Sequence, residues 1–276
     1  AVIVETRESP AMLYAMVSVL DNFRRTLDDR WTVHADVSPN MTSALDSQLR
    51  TIFHLRMALE KAALRVAPAS IGNGYTEFNL MYTRPDFWRK YAAPYLLMFH
   101  IDSCLCPSPT RSLQSFIDSG YSFVGAPWGG WVCSLLRGFS KHAEAHCVGN
   151  SGLALWRRND ILQLTTAIES SGKDEFAKHR MMYTDLWFSA HLQSKHWSSL
   201  NLSAVPTEVE AAYFAVESTD LVPGATPVGV HLNKHQIQSK KYLSTREEQS
   251  LVLRCPALAE VFYRLDATRH VSRSRV

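Results

Sequence analysis

The stretch Tyr95–Cys106, YLLMFHIDSCLC, sets an unbroken apolar run against an imidazole and a carboxylate placed two residues apart, His100 and Asp102. A short apolar run without polar alternation reads as a strand buried on both faces, as in a sheet covered by helices on each side. Side-chain alternation then predicts His100 and Asp102 on one face of that strand, near its carboxyl end. Two readings of the pair stand at this point. Asp102 caps the following turn while His100 is a satisfied core histidine, or the pair holds a divalent cation that neutralises a diphosphate.

Outward from this strand the chain alternates between strand-like and helix-like patterns. AVIVE at the start is a buried strand that delivers Glu5, Thr6 and Arg7 to a loop, and Pro10 then opens a helical pattern, AMLYAMVSVLDNFRRTL. WTVHADVS (31–38) reads as a second strand, and SALDSQLRTIFHLRMALEKAALRV (43–66) is rich in helix formers and is predicted largely helical. A Gly-bearing loop, IGNGYTEF, leads to a helix carrying Phe87, Trp88 and Tyr91. After the opening strand come a Pro-punctuated loop with a short helix (PSPTRSLQSFIDSG), a strand (YSFVGAPW) and a Gly-containing turn before another strand (CVGNSGLALWRR). NDILQLTTAIES is a capped amphipathic helix, and DEFAKHRMMYTDLWFSAHLQSK is helical again. Beyond it lie short apolar pieces, AAYFAVE and PVGVHL, in irregular surroundings. This order predicts a single α/β domain with a mostly parallel central sheet flanked by helices, over residues 1–240, and a helical or irregular extension at 241–276. A ligand site is expected at the carboxyl ends of the strands.

Composition narrows the function. The net charge of +3 comes from Lys and Arg scattered along 276 residues, too diffuse for a nucleic-acid surface, so no nucleic-acid partner is expected. No apolar run reaches the roughly 18 residues that span a bilayer. The chain starts with Ala, so a membrane connection is expected only through an N-terminal anchor removed from the start. Five cysteines without a CxxC pair argue against structural zinc and against a dense disulfide framework. Absent too are GxGxxG after a strand, GxxxxGK[ST], HExxH and GxSxG, which removes support for dinucleotide oxidoreductase, P-loop NTPase, zincin and serine hydrolase. Two further polar residues stand out. Asp185, among the aromatics of MMYTDLWFSAHL, is either a helix cap or a general base in a partly apolar cleft, and His231 in PVGVHLNKH is either a surface histidine or a ligand.

Taken together, AVIVETRESP, HIDSCLC, SFIDSGYSFVGAPW, VGNSGLALWRR, TDLWFSAHL and PVGVHLNKH resemble, in order, the blocks of a domain-of-unknown-function family of GT-A-like glycosyltransferases. The likeness runs from Val2 to about His235. It implies a GT-A-like (Rossmann-like) fold and transfer of a sugar from a nucleotide-diphosphate donor, a UDP- or GDP-sugar, to a hydroxyl of a glycan or glycoconjugate. It also implies a divalent metal, Mn²⁺ or Mg²⁺, held at a DxD-like triplet, which here is His100-Ile101-Asp102 with the first acid replaced. Carried over position by position, Asp102 and His231 become metal ligands, and Glu5, Thr6, Arg7, His100, Asp102 and Ser103 line the nucleotide-sugar. Trp128, Asn150 and Gly152 contact sugar or acceptor, and Asp185 becomes the base that deprotonates the acceptor hydroxyl. Thr184 and Ser151 depart from the family's usual Glu and Gly. Trp128 equally suits a buried core position, and Asn150 a turn. A Golgi or other secretory lumen is the favoured compartment. The replaced acid leaves open a non-catalytic sugar or nucleotide-sugar binder, and the Asp and His pair a metal-dependent phosphodiesterase or nucleotidyltransferase.

Overall fold

The computed structural model describes residues 1–54, 63–68, 75–140, 145–174, 177, 183–217, 222–232 and 246–261. They group into two compact units, the first from Ala1–Ser70, Phe99–Thr110 and Pro223–Val276, the second from Ile71–Met98 and Arg111–Val222. Among the described residues no helix is long and apolar enough to cross a membrane. Part of the IGNGYTEF loop, most of DEFAKHRMM, and Lys234 and His235 lie outside the described residues.

In the first unit, β1 (Val2–Glu5), β2 (Thr32–Val37) and β3 (Ala63–Pro68) form a parallel array in the order β3-β2-β1. Every residue of β1 is buried, as its apolar, β-branched VIVE demands. Helix α1 (Pro10–Thr26) starts where the Ser9 hydroxyl accepts the Met12 N–H and Pro10 presets the first turn. It buries Met12, Met16, Val19, Leu20 and Phe23, at helical spacing. Helix α2 (Pro39–His54) repeats the device with Met41, Leu45 and Leu49, four residues apart. The helix expected to run on to Val66 does not do so. Residues 63–66 are strand, with Val33 opposite Leu64 and Ala35 opposite Val66. Ladder hydrogen bonds to a buried neighbour outweigh the fraction of a kcal/mol per residue by which Ala, Leu and Arg favour helix.

Two further strands belong to that unit: β5 (Ser103–Leu105) pairs antiparallel with β9 (Gly229–His231). Asn22 of α1 fixes β5 by a reciprocal amide clip, Nδ2 donating to the Leu105 carbonyl (3.2 Å) and Oδ1 accepting the Leu105 N–H (2.8 Å). Phe23 stacks on Phe99 one turn away, with ring centroids 3.7 Å apart. Helix α10 (Arg246–Arg254) is followed by Cys255, disulfide-bonded to Cys106, and Arg254 donates to Thr226 Oγ1 and the Ala225 carbonyl.

The second unit is built around aromatic side chains. β4 (Tyr95–Phe99), β7 (Val148–Arg157) and β6 (Phe123–Pro127) lie in the order β4-β7-β6, and β6 pairs antiparallel with β7. Phe123 stacks on Trp156 at 3.9 Å, and the Trp88 of α4 (Pro85–Arg89) meets Trp156 and Phe188. Phe188 and Trp187 come from α8 (Thr184–Leu192). Around this core run α3 (Tyr75–Tyr82), α5 (Leu113–Asp118), α6 (Gly130–Ser140), α7 (Arg158–Ser171), α9 (Glu208–Phe214) and the two-residue β8 (Ala215–Val216). The second disulfide, Cys133–Cys147, ties α6 to the residue before β7.

Where a Gly-containing turn was expected before β7, the strand itself begins at Val148 and carries a bulge. The pairing jumps from Gly125↔Ala154 to Ala126↔Asn150. Two glycines make this possible. A Cβ on Gly125 would lie 2.3 Å from the Asn150 carbonyl oxygen, and Gly149, at φ +142°, would place one 2.5 Å from the Phe123 ring.

Candidate metal centre

Strand β4 stops at Phe99, so His100, Ile101 and Asp102 form the turn into β5 rather than its continuation. Alternation along a strand therefore does not place His100 and Asp102 together, contrary to the expectation from sequence. The turn does so. Both the N–H and the hydroxyl of Ser103 donate to the His100 carbonyl, at 3.2 and 2.6 Å, and fold the chain back on itself. Ser103 is fully buried and spends its hydroxyl there.

His231 arrives from the other strand. Register sets it opposite Ser103, and the Leu232 N–H donates to the Asp102 carbonyl at 3.0 Å. His231 Nε2 lies 3.2 Å from Asp102 Oδ1, and the His100 ring meets that of His231 edge-on at 5.7 Å. One ligand atom each from His100, Asp102 and His231 lies within 4.8 Å of the others. Burial pulls His100 down to about 4 against the pull of the Asp102 charge, so the imidazole is neutral near pH 7. Burial pushes Asp102 up, but the charge and hydrogen bond of His231, and the charge of His100, hold it at about 2. A neutral imidazole and an ionised carboxylate are the forms that ligate a metal.

The donor set fits a divalent ion. Bonds of about 2.1 Å put adjacent ligands about 3 Å apart and opposite ones about 4 Å apart, so the triad needs only a small contraction. Three protein ligands leave further positions open.

Glu5 and Arg7 lie at the carboxyl end of β1 in the same unit. Arg7 gives Nε (2.9 Å), Nη2 (2.6 Å) and its backbone N–H (2.9 Å) to the buried Glu5 carboxylate. The bond and charge of Glu5, with the charge of Asp102, raise the Arg7 guanidinium further, so it is a fixed cation. Thr6 is buried between them in sequence.

Asp185, Trp128, Asn150 and Gly152 all belong to the second unit. Asp185 sits in the first turn of α8 and its Oδ1 accepts the Leu186 N–H at 2.8 Å, while Thr184 donates to Asn79 Oδ1. Trp128 is buried, and a Cβ on Gly149 would lie 3.2 Å from its ring. Asn150 is buried at the bulge: Oδ1 accepts the Gly152 N–H (2.9 Å), and Nδ2 donates to Glu217 Oε2 (2.5 Å). Glu217, a buried acid right after β8, was missed in the sequence. Its signal was present in AAYFAVE, an apolar piece ending in an acid, like AVIVE before it.

The model of DUF5672, a protein family of unknown function, matches residues 62–231 of this chain. The chain belongs to the DUF5672 family. No curated protein matches its sequence. Among solved structures, this DUF5672 chain is similar to a galactosyltransferase, LgtC, crystallised with donor and acceptor sugar analogues, at 14% identity and a TM-score of 0.52, with 95% of each chain covered. It also matches mouse xyloside xylosyltransferase 1 (9% identity, 85% of this chain, 97% of that one, TM-score 0.47). A third match is a mannosyltransferase of Pyrobaculum calidifontis solved with GDP-Man and Mn²⁺ (13% identity, 100% and 75%, TM-score 0.42). The first of these carries the fold: this DUF5672 chain has the mixed α/β fold of GT-A glycosyltransferases, with strands flanked by helices.

Proposed function

We propose that the protein is a metal-dependent glycosyltransferase that moves a sugar from a nucleotide-diphosphate donor to an acceptor hydroxyl. The observation that carries this reading is the convergence of His100, Asp102 and His231, from a strand-end turn and an antiparallel neighbour, in a chain of GT-A fold. His100, Asp102 and His231 would hold the metal, whose charge, when bound, stabilises the diphosphate as it leaves. The single negative charge of the triad, on Asp102, leaves a divalent ion net positive towards that diphosphate. Arg7, kept in place by Glu5, supplies a second cation at the carboxyl end of β1.

On the acceptor side the proposed base is Asp185, whose Oδ1 is occupied by the Leu186 N–H. As base, its carboxylate would accept the proton of the attacking hydroxyl. Asn150 and Gly152 form the proposed sugar contacts, with the Asn150 amide oriented from both ends. UDP- and GDP-sugars are the proposed donors. The proposed compartment is a secretory lumen, supported by two disulfides in one chain.

Thermal stabilisation by UDP or GDP tests the reading, with and without divalent metal, because a ligand that binds only the folded state raises its stability. A rise of several degrees that needs metal is expected. If neither diphosphate raises the melting temperature with any metal tried, the reading fails. Sugar transfer measured on the same preparation distinguishes an enzyme from a binder of the same fold.

A further inference from the structure

Where a DxD triplet presents two carboxylates, this turn presents one imidazole and one carboxylate, and β9 adds a second imidazole. We infer that the site selects a borderline transition ion of the cobalt-to-zinc kind over Mg²⁺, because two of its three protein ligands are imidazoles. The inference rests on the metal role assigned above and deepens it by naming which ion that role admits.

The chemistry follows from the donor atoms. Mg²⁺ is a hard ion that demands near-ideal octahedral oxygen coordination and dehydrates reluctantly, so it gains little from an imidazole nitrogen. Co²⁺, Ni²⁺ and Zn²⁺ form strong bonds to imidazole, and the gap between them and Mg²⁺ widens with each nitrogen in the set. Charge acts in the same direction. A site with two carboxylates attracts any dication strongly, whereas here Asp102 is the lone anion of the triad and the rest of the affinity must come from nitrogen.

The backbone enforces the mixed set. Ser103 pins the His100 carbonyl, and Leu232 pins that of Asp102. The Ser103↔His231 register fixes the third ligand from the opposite strand. His231 Nε2 and Asp102 Oδ1, 3.2 Å apart, already stand at the separation of adjacent ligands on one ion. A chain so pinned has little freedom to swing in a replacement oxygen for an ion that refuses nitrogen.

Calorimetric titration of the metal-free full chain with Co²⁺, Zn²⁺ and Mg²⁺, in the absence of nucleotide, is the test. Co²⁺ and Zn²⁺ are expected to bind at least about 100-fold more tightly than Mg²⁺. In His100→Asp, which restores a DxD triplet, the ratio of Co²⁺ to Mg²⁺ affinity is expected to fall at least about tenfold. Mg²⁺ binding within tenfold of Co²⁺, or an unchanged ratio in His100→Asp, overturns the inference. Should the variant fail to fold, pulsed electron paramagnetic resonance of the Cu²⁺-loaded wild type decides: nitrogen couplings from two imidazoles are expected, and their absence overturns it. Because nucleotide is left out, the outcomes separate. A chain that shows this metal order but binds no nucleoside diphosphate refutes the transferase reading alone, and one that binds UDP or GDP with metal but, without nucleotide, takes Mg²⁺ within tenfold of Co²⁺ refutes the ion preference alone.

Discussion

At the residue scale the protein turns on Asp102, the single anion of its triad. Asp102→Ala removes the carboxylate ligand and leaves only the two imidazoles, so metal affinity should fall by at least about 100-fold, beyond the 10- to 100-fold typical of losing an outer-shell partner. Metal-dependent stabilisation by UDP or GDP should disappear with it, as a melting-temperature series reads directly. His100 gives a pH dependence whose sign is fixed. The unfolded chain takes up a proton near 6.5, which folded His100 refuses until about 4, so the metal-free protein is at full stability above 6.5 and loses it as pH falls towards 4. Asp102, held at about 2 rather than 3.8, adds a loss of the same sign at still lower pH. Urea midpoints measured from pH 7 to pH 4 should therefore decline, and His100→Asn should flatten that limb; an unaltered slope in the variant would assign it to another group. His100 and Asp102 were legible in the sequence because polar residues at the end of an apolar run attract notice, although the reason they converge is a turn and not strand alternation. His231 stood out in PVGVHLNKH as either a surface histidine or a ligand, and only the resemblance favoured the ligand. Its partner across the ladder, Ser103, is 128 residues away in the sequence, and no local pattern encodes that register.

Two devices at the scale of elements hold the candidate sites in place. The Asn22 amide clip is the first, fastening α1 to β5 beside the metal turn. Asn22→Ala leaves a buried N–H and carbonyl of Leu105 without that partner and should cost about 2–4 kcal/mol in chemical denaturation. It should also weaken metal binding, since β5 is the strand that follows Asp102. The second is the β6–β7 bulge. Gly149→Ala combines a left-handed φ with a Cβ driven into Phe123 and should cost about 2–5 kcal/mol. Gly125→Ala, which pushes directly on the Asn150 backbone, should show a loss of the same order, and a neutral result at either position would mean that the strands separate at little cost. The sequence announced most of these elements, since AVIVE, YLLMF and FVGAP are apolar enough to be strands in any context. It concealed β3, because ALRV has no strong preference of its own and becomes strand through its neighbour β2. It also concealed the bulge, for GNSG has the composition of a turn, and only the close approach of Gly125 shows why those glycines continue a strand instead.

For the whole molecule, the two disulfides differ in what they close. Cys106–Cys255 joins residues 149 apart and Cys133–Cys147 residues 14 apart. On the chain-entropy model these restrict the unfolded state by about 5 and about 3 kcal/mol. Cys255→Ser should therefore lower the urea midpoint more than Cys133→Ser does, with the oxidised wild type above both. Five cysteines admit many pairings, and nothing in their spacing selects these two; only a fold that brings α10 to β5 and α6 to β7 makes the choice. The longer of the two bonds also bears on how the chain survives damage. The segment Arg111–Val222 of the second unit falls wholly inside the ring closed by Cys106 and Cys255. A protease that nicks the backbone anywhere in that segment leaves both pieces covalently joined, at full mass until a reductant is added. Wear in the second unit thus does not shed the fragment that carries His231 from the one that carries His100 and Asp102.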